Sequence, residues 1–172
     1  DVIVLDHHQV SSPPPAAVAL VNPQLSTLNS QPSTAFTELC SAGLAFKLAH
    51  ALVKRGRDIG LSGAADFDLR PLLDLVALGT IADLVPLIGE NRIFVSTGLE
   101  RLSSTQRPGL VALKQVAQCP PTLGTYEVGF QLGPRLNAAG RLETAEESLR
   151  LLRARDVPEA LPIAHRLDSQ NR

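Results

Sequence analysis

The chain has 172 residues, a formal net charge of −1 at pH 7 and 44% hydrophobic residues, which is enough apolar bulk for a substantial core. This balanced charge excludes a general electrostatic attraction to nucleic acid, so any nucleic-acid contact must come from a local patch. No apolar run approaches the ~18 residues of a membrane span, and no signal-peptide pattern opens the chain. We therefore expect a cytoplasmic protein without membrane contact.

Two features indicate a piece of a longer protein. The chain contains no Met, and its first residue leads directly into a strand.

The two cysteines, Cys40 and Cys119, have no Cys-x-x-Cys spacing. This pattern fits free thiols in a reducing compartment better than a disulfide framework.

Two short strands are expected near the N-terminus. The apolar run at residues 2–5 predicts a buried strand, and residues 17–21, stopped by Asn22-Pro23, predict another. Consecutive prolines at 13–15 exclude regular structure between them, and the polar residues 24–33 predict a surface loop. The predicted fold class is α/β: the C-terminal part of a parallel-sheet domain, with two short strands followed mostly by helices.

Helical patterns occupy most of the remaining chain. A helix is expected at residues 37–55, ended by Gly56. The spacing of Leu69, Leu72, Leu73 and Val76 then predicts a second helix with one apolar stripe. Further helices are predicted at residues 91–102, 109–117, 145–152 and 158–171, with Pro108, Pro120-Pro121 and Pro134 separating them.

Asp6-His7-His8 follows the first predicted strand directly. Ligands bind at the carboxyl ends of strands in open α/β sheets, and Asp with His suits a divalent metal such as Mn²⁺. The alternative is a strand-end turn with a capping Asp and two solvated histidines. The tripeptide alone does not decide between these interpretations.

Asp83 is a second candidate. Continuing the stripe of the second helix by 3.6 residues per turn places Asp83 on its inward face. A carboxylate there costs several kcal/mol unless it is paired or bound to a metal. The alternative is that the helix ends at Gly79 and Asp83 caps the next turn.

A third candidate lies in the segment 133–141. Arg135 and Arg141 suit contact with phosphate, Asn137 adds donors, and the neighbouring small residues leave the backbone accessible. The alternative is a glycine-capped turn with two surface arginines.

Other patterns in the sequence give weaker evidence for a functional site. Ser41-Ala42-Gly43 could offer backbone N–H groups to a phosphate, but close packing of two elements is the favoured interpretation. His50 and His165 are expected to be structural. One Tyr, five Phe and no Trp argue against a platform for base stacking.

Taken in order, four motifs resemble the DHH phosphoesterase family, and the last two are specific to its exonuclease branch, which degrades single-stranded DNA 5′→3′. The resemblance spans nearly the whole chain. The motifs are Asp6-His7-His8, Ser41-Ala42-Gly43-Leu44-Ala45-Phe46-Lys47-Leu48, Leu78-Gly79-Thr80-Ile81-Ala82-Asp83-Leu84-Val85-Pro86-Leu87 and Gly133-Pro134-Arg135-Leu136-Asn137-Ala138-Ala139-Gly140-Arg141.

The resemblance implies roles for these residues. Family members use two Mn²⁺ or Mg²⁺ ions to activate water and to neutralise the scissile phosphate. His7 and Asp83 would bind one ion, His8 would contact the scissile phosphate, and Asp6 would ligate or orient His7. Further ligands would lie upstream. Arg135, Asn137 and Arg141 would bind the DNA backbone or the scissile phosphate.

The resemblance also implies an organisation and a substrate. Residues 1–155 would form the later portion of the DHH catalytic domain, and residues 156–172 would begin the helix to a missing DHHA1-type domain. The substrate would be single-stranded DNA with a 5′ end, and candidate protein partners are a single-strand-binding protein and a helicase. The chain alone would be nearly inactive. Two alternatives are a DHH phosphoesterase of short oligonucleotides or dinucleotides, and a catalytically dead DHH-fold scaffold.

Overall fold

The structure, a computed structural model, describes residues 1–10, 12–27, 36–142 and 145–172, and of residues 139–142 it describes the backbone alone. The chain divides into two compact units, Asp1–Ser96 and Thr97–Arg172, and the division falls within a helix. The described elements, in chain order, are β1 (Ile3–Leu5), β2 (Ala19–Val21), a 3₁₀ turn (Pro23–Thr27), α1 (Ser41–Asp58), a second 3₁₀ turn (Arg70–Leu72), α2 (Leu73–Ala82), α3 (Gly89–Ser103), α4 (Pro108–Val116), a π-helical segment (Glu127–Leu132), α5 (Gly133–Leu142), α6 (Glu146–Leu152) and α7 (Val157–Asn171). The expected α/β class, with two short parallel strands before the helices, is confirmed.

The two strands pair in parallel, with Ile3 opposite Ala19 and Leu5 opposite Val21. Both are shorter than predicted, and the expectation that the first strand is buried is wrong. Ile3 is 57% exposed, and Val2 just before it is 60% exposed. Parallel strands are normally covered on both faces, whereas the described sheet has two strands and leaves β1 partly uncovered.

Helix α1 begins and ends later than predicted. It runs Ser41–Asp58, so Gly56 lies inside the helix and does not end it. A Cβ at Gly56 would stand 2.8 Å from the Cβ of Ala64. The glycine therefore allows the returning chain to pass close to the last turn of the helix. The predicted loop at residues 24–33 contains part of the 3₁₀ turn, and its residues 28–33 lie outside the described part of the chain.

Helices α1 and α2 pack through small residues. A Cβ at Gly79 would stand 2.6 Å from the Cβ of Ala42, so the two backbones approach more closely than larger side chains would allow. The segment Ser41-Ala42-Gly43 opens α1. The contact of Ala42 with α2 is a packing contact, which is the role that the sequence favoured for this segment.

A buried asparagine fixes the start of α3. Asn91 is fully buried, and its side-chain nitrogen donates to the carbonyls of Glu38 at 2.6 Å and Pro86 at 3.0 Å. Two chain segments without regular structure are thereby held to the helix. The four helices predicted after residue 90 correspond to α3, α4, α6 and α7, each within two residues of its predicted ends.

In the second unit, α7 packs against α4, α5 and α6. Leu110, Leu151 and Leu167, from three of these helices, are fully buried. The Asp156 side chain caps α7 by accepting from the backbone N–H of Glu159 at 2.8 Å. The sequence therefore marks the start of α7 clearly, with Pro158 in the first turn.

The segment around Pro134 was expected to separate elements, and the structure shows a continuous helical path instead. The π-helical segment Glu127–Leu132 runs directly into α5. Proline in a helix interior clashes with the carbonyl four residues earlier, but Pro134 lies in the first turn of α5, where proline is tolerated. The helix through Arg135 and Asn137 thus follows an irregular turn that a 3.6-residue period does not reveal.

No helix in the described part of the chain is both long enough and apolar enough to cross a membrane.

Candidate functional site

The candidate metal ligands come from two elements of the first unit. His7 lies two residues beyond the end of β1, and Asp83 is the C-cap of α2. Their side chains meet, with His7 Nε2 standing 3.2 Å from Asp83 Oδ2. The helix does not stop at Gly79, because it continues to Ala82. Asp83 does not lie on the buried face of the helix, because its side chain is 38% exposed.

This pair fits a divalent cation. Two ligand atoms in neighbouring positions of an octahedral ion, each about 2.1 Å from it, stand about 3 Å apart, close to the separation seen here. The other ring nitrogen of His7, Nδ1, is buried and has no hydrogen-bond partner among the described residues. Carboxylate oxygen suits both Mn²⁺ and Mg²⁺, whereas imidazole nitrogen suits transition metals, so the mixed pair fits Mn²⁺ better than Mg²⁺. Across the described residues, no group of three or more His, Cys, Asp or Glu side chains could hold a metal, so His7 and Asp83 form a partial site.

Asp6 contacts the His8 side chain, and the expectation that Asp6 ligates a metal or orients His7 stays a prediction. Asp6 Oδ1 lies 2.7 Å from His8 Nδ1, and it also accepts from the His8 backbone N–H at 3.3 Å. The His8 ring, followed by the His8 backbone N–H, holds the pKa of Asp6 below its usual value. Its partner, the His8 side chain, is 75% exposed, so the ring is directed by a carboxylate while remaining accessible.

Asn22 supports this arrangement and was not identified from the sequence as a site residue. It follows β2 and is buried. Its side-chain nitrogen donates to the His8 carbonyl at 2.9 Å and lies 3.5 Å from Asp6 Oδ2. Its side-chain oxygen accepts from the Gln24 backbone N–H at 2.9 Å. A polar residue at the end of the neighbouring strand was the available signal, because parallel strands end at the same edge.

In the second unit, Arg135 is not on an open surface. Its Nε donates to Asp168 Oδ1 at 2.8 Å, Nη2 lies 2.8 Å from the same oxygen, and Nη1 donates to the Gln131 carbonyl at 2.7 Å. The side chains of Arg135 and Asp168 are 17% and 9% exposed. The pair therefore joins α5 to α7, a contact that neither interpretation of the sequence included.

Asp168 binds a second arginine, because Arg172 Nη2 lies 2.9 Å from Asp168 Oδ2. Burial is the largest influence on Asp168 and would raise its pKa. The bonds from Arg172 and Arg135 together outweigh burial and hold the pKa below its usual value. Of the other two predicted phosphate ligands, Asn137 is exposed on α5, and the Arg141 side chain lies outside the described residues.

These features define a class of protein: an α/β chain with Asp-His-His at the end of a parallel strand and a carboxylate facing the first histidine. No family model matches the chain. Curated relatives do. The single-stranded-DNA-specific exonuclease RecJ of Dickeya dadantii is 44% identical over 99% of this chain, which corresponds to 30% of the relative. RecJ of Bacillus subtilis is 43% identical over 100% of the chain and 20% of the relative.

Solved structures agree. A crystal structure of exonuclease RecJ bound to manganese superposes with a TM-score of 0.79 and 36% identity, covering 98% of this chain and 40% of that one. RecJ from Thermus thermophilus in complex with Mg²⁺ gives a TM-score of 0.73 and 34% identity, covering 98% of this chain and 23% of that one. The chain belongs to the RecJ family. It spans between a fifth and a third of the length of these two curated relatives.

Proposed function

We propose that this chain supplies part of the catalytic centre of an exonuclease that degrades single-stranded DNA 5′→3′ with Mn²⁺ or Mg²⁺. The observation that carries the proposal is the 3.2 Å approach of His7 to Asp83 at the carboxyl end of β1. It is supported by the similar single-stranded-DNA-specific exonucleases and by the RecJ structures solved with Mn²⁺ or Mg²⁺.

In this proposal, His7 Nε2 and Asp83 Oδ2 hold one ion. A bound divalent ion activates water and neutralises charge on the phosphate. The chain's own contribution is to fix the two ligands: β1 places His7, and the packing of α2 against α1 places Asp83. Additional ligands, expected from outside the chain, would complete a site for two ions.

His8 would contact the scissile phosphate. Its ring is largely exposed, and Asp6 accepts its Nδ1 proton, so Nε2 is directed away from the carboxylate and towards solvent. Asn22 would hold the His8 backbone in place through its bond to the carbonyl. Asp6 and His8 thus form the catalytic pair of the proposal, with Asp6 acting through His8.

The segment of α5 would bind the DNA backbone through Asn137 and Arg141. A phosphate contact by Arg135 would have to use the remaining N–H donors of a guanidinium already held by Asp168 and Gln131. The observed contacts of Arg135 therefore hold α5 against α7.

The organisation and cellular context follow the same proposal. Residues 1–155 would be the later portion of a DHH catalytic domain, and residues 156–172, in which α7 begins at Val157, would lead to a DHHA1-type domain. Single-stranded DNA is the proposed substrate, with a single-strand-binding protein and a helicase as proposed partners. A cytoplasmic location is proposed as well, with Cys40 and Cys119 as free thiols.

The test is a nuclease assay on the purified protein that carries this chain, with Mn²⁺ and 5′-labelled single-stranded DNA. The expected result is mononucleotide release from the 5′ end, with double-stranded DNA resistant. Preference for dinucleotides over long strands would favour the small-substrate phosphoesterase. Single-stranded-DNA binding without hydrolysis in any divalent metal would favour the scaffold.

A further inference from the structure

An exposed pair of aromatic rings lies in the second unit. Tyr126 is 61% exposed and Phe130 is 71% exposed, yet their ring centroids are only 5.2 Å apart and the planes are tilted by 31°. Aromatic rings normally contribute to stability by being buried. These two pack against each other and leave most of their surface in solvent.

The local structure directs both rings outward. Val128 and Leu132, on the opposite side of the same helical path, are fully buried and anchor it. The Glu127 carboxylate turns back to accept from the Gly124 backbone N–H at 2.7 Å. The rings therefore project from a segment that is fixed by its buried face.

The backbone under the pair is unusual as well. Phe130 lies within the π-helical segment, and Tyr126 is its N-cap. π-Helical turns are rare and often mark functional sites. The segment leads directly into α5, whose Asn137 and Arg141 carry the proposed backbone contacts.

The small size of the exposed aromatic surface favours unpaired bases over a protein as its ligand. Among the described side chains of residues 97–172, the exposed large hydrophobic residues are Tyr126, Phe130 and Leu149. Protein interfaces bury about 800 Å² per partner, more than two rings can supply. Two rings are sufficient to stack unpaired bases, because every base has an aromatic face.

We propose that Tyr126 and Phe130 form a stacking surface for the unpaired bases of single-stranded DNA. This inference rests on the proposed function, and it assigns base contact to residues outside the metal centre. It runs counter to the expectation, drawn from the low aromatic content, that the chain is poorly equipped for base stacking.

The experiment separates base contact from phosphate contact. A dye-labelled oligo(dT) and an abasic strand of the same length are titrated with the chain, and affinity is measured by fluorescence anisotropy. The variants are Phe130→Leu and Tyr126→Leu, which keep apolar bulk and remove a ring. Phe67→Leu is the matched control, because Phe67 is 52% exposed in the first unit. Circular dichroism confirms that each variant keeps the wild-type fold.

The wild-type chain should bind oligo(dT) about tenfold or more tightly than the abasic strand. Each ring-removing variant should lower that ratio several-fold while the affinity for the abasic strand stays unchanged, and Phe67→Leu should leave the ratio as it is. Because the chain contains one Tyr and no Trp, its fluorescence reports on Tyr126 and should be quenched by oligo(dT) but not by the abasic strand.

An unchanged ratio in both variants, or unquenched Tyr126 fluorescence at saturating oligo(dT), overturns the stacking proposal alone. Failure of the wild-type protein that carries this chain to bind either strand overturns the proposed function with it. If the variants instead abolish self-association in sedimentation and leave the ratio unchanged, the pair is a protein interface and the stacking proposal is wrong.

Discussion

His7 Nε2 and Asp83 Oδ2 stand 3.2 Å apart although one follows a strand and the other ends a helix. The helix end is placed by packing, because α2 lies against α1 at Gly79 and Ala42 without intervening side chains. The candidate metal pair therefore depends on a helix contact as much as on the two ligands.

Removing either ligand should weaken Mn²⁺ binding. We expect His7→Ala and Asp83→Asn each to lower the affinity of the chain for Mn²⁺ at least about tenfold, since affinity follows the number of ligands. Free Mn²⁺ is measured by electron paramagnetic resonance. His50→Ala and Asp58→Asn, which change exposed residues of α1, are the controls. Equal Mn²⁺ affinity in all four variants would contradict the ligand assignment.

His8→Ala should behave differently from His7→Ala. If His8 contacts the phosphate, its loss should lower hydrolysis by about 10²-fold or more while Mn²⁺ affinity stays close to wild type. Asp6→Asn should have a smaller effect of the same kind, because it weakens the bond that orients the His8 ring. The nuclease assay is run on the protein that carries this chain, beside the Mn²⁺ titration. A parallel loss of Mn²⁺ affinity in His8→Ala would make His8 a ligand instead.

Gly79→Ala should disturb the metal pair from a distance. The added Cβ would stand 2.6 Å from that of Ala42, so α2 must shift, and overpacking of this kind costs about 1–3 kcal/mol. We expect lower stability in urea unfolding together with weaker Mn²⁺ binding. The double variant Ala42→Gly/Gly79→Ala removes the clash and should recover most of both losses. If the double variant is no better than Gly79→Ala, the contact does not position Asp83.

The sequence predicted the strand and the helix that carry the site residues better than it predicted the side-chain contacts between distant residues. The strand before Asp6 and the helix before Asp83 follow from local apolar patterns, and the resemblance paired His7 with Asp83. The bond between Arg135 and Asp168 joins residues far apart in the chain, so no local spacing indicates it. Gly56 was misjudged for the same reason: its role depends on Ala64, which the chain brings back only after the helix ends.

The π turn before α5 could not be predicted from the sequence pattern either. The boundary expected at Pro134 rested on the general effect of proline on helices, and no local pattern indicates the π turn that precedes it. Exposure of Tyr126 and Phe130 depends on which face Val128 and Leu132 bury, and that is decided by tertiary packing.

Acid should destabilise the chain through Asp168. Its pKa lies below the ordinary value of 3.8 in the folded chain, so the unfolded chain binds the proton more readily. The stabilisation is therefore fully present above the unfolded pKa and is lost as pH falls through the lower folded pKa. Urea unfolding measured from neutral pH down to about pH 3 should show a steeper loss in wild type than in Asp168→Asn. Parallel curves would show that the ion pair adds no pH dependence.

Arg135→Ala separates a structural role from a phosphate contact. Removing the guanidinium leaves Asp168 nearly buried with Arg172 as its remaining arginine partner, so we expect a loss of about 2–3 kcal/mol in urea unfolding. Arg150→Ala, on the exposed face of α6, is the matched control and should change stability by less than about 0.5 kcal/mol.

The same variants are then titrated with single-stranded DNA across a salt series at a temperature where both are folded, with Ca²⁺ present to suppress cleavage. An arginine that neutralises one phosphate contributes about 0.7 to the slope of log affinity against log salt, whatever the base sequence. Because the Arg135 guanidinium already binds Asp168 and Gln131, we expect the slope of Arg135→Ala to match wild type. A slope reduced by about 0.7 would show that Arg135 binds phosphate in addition to joining α5 to α7.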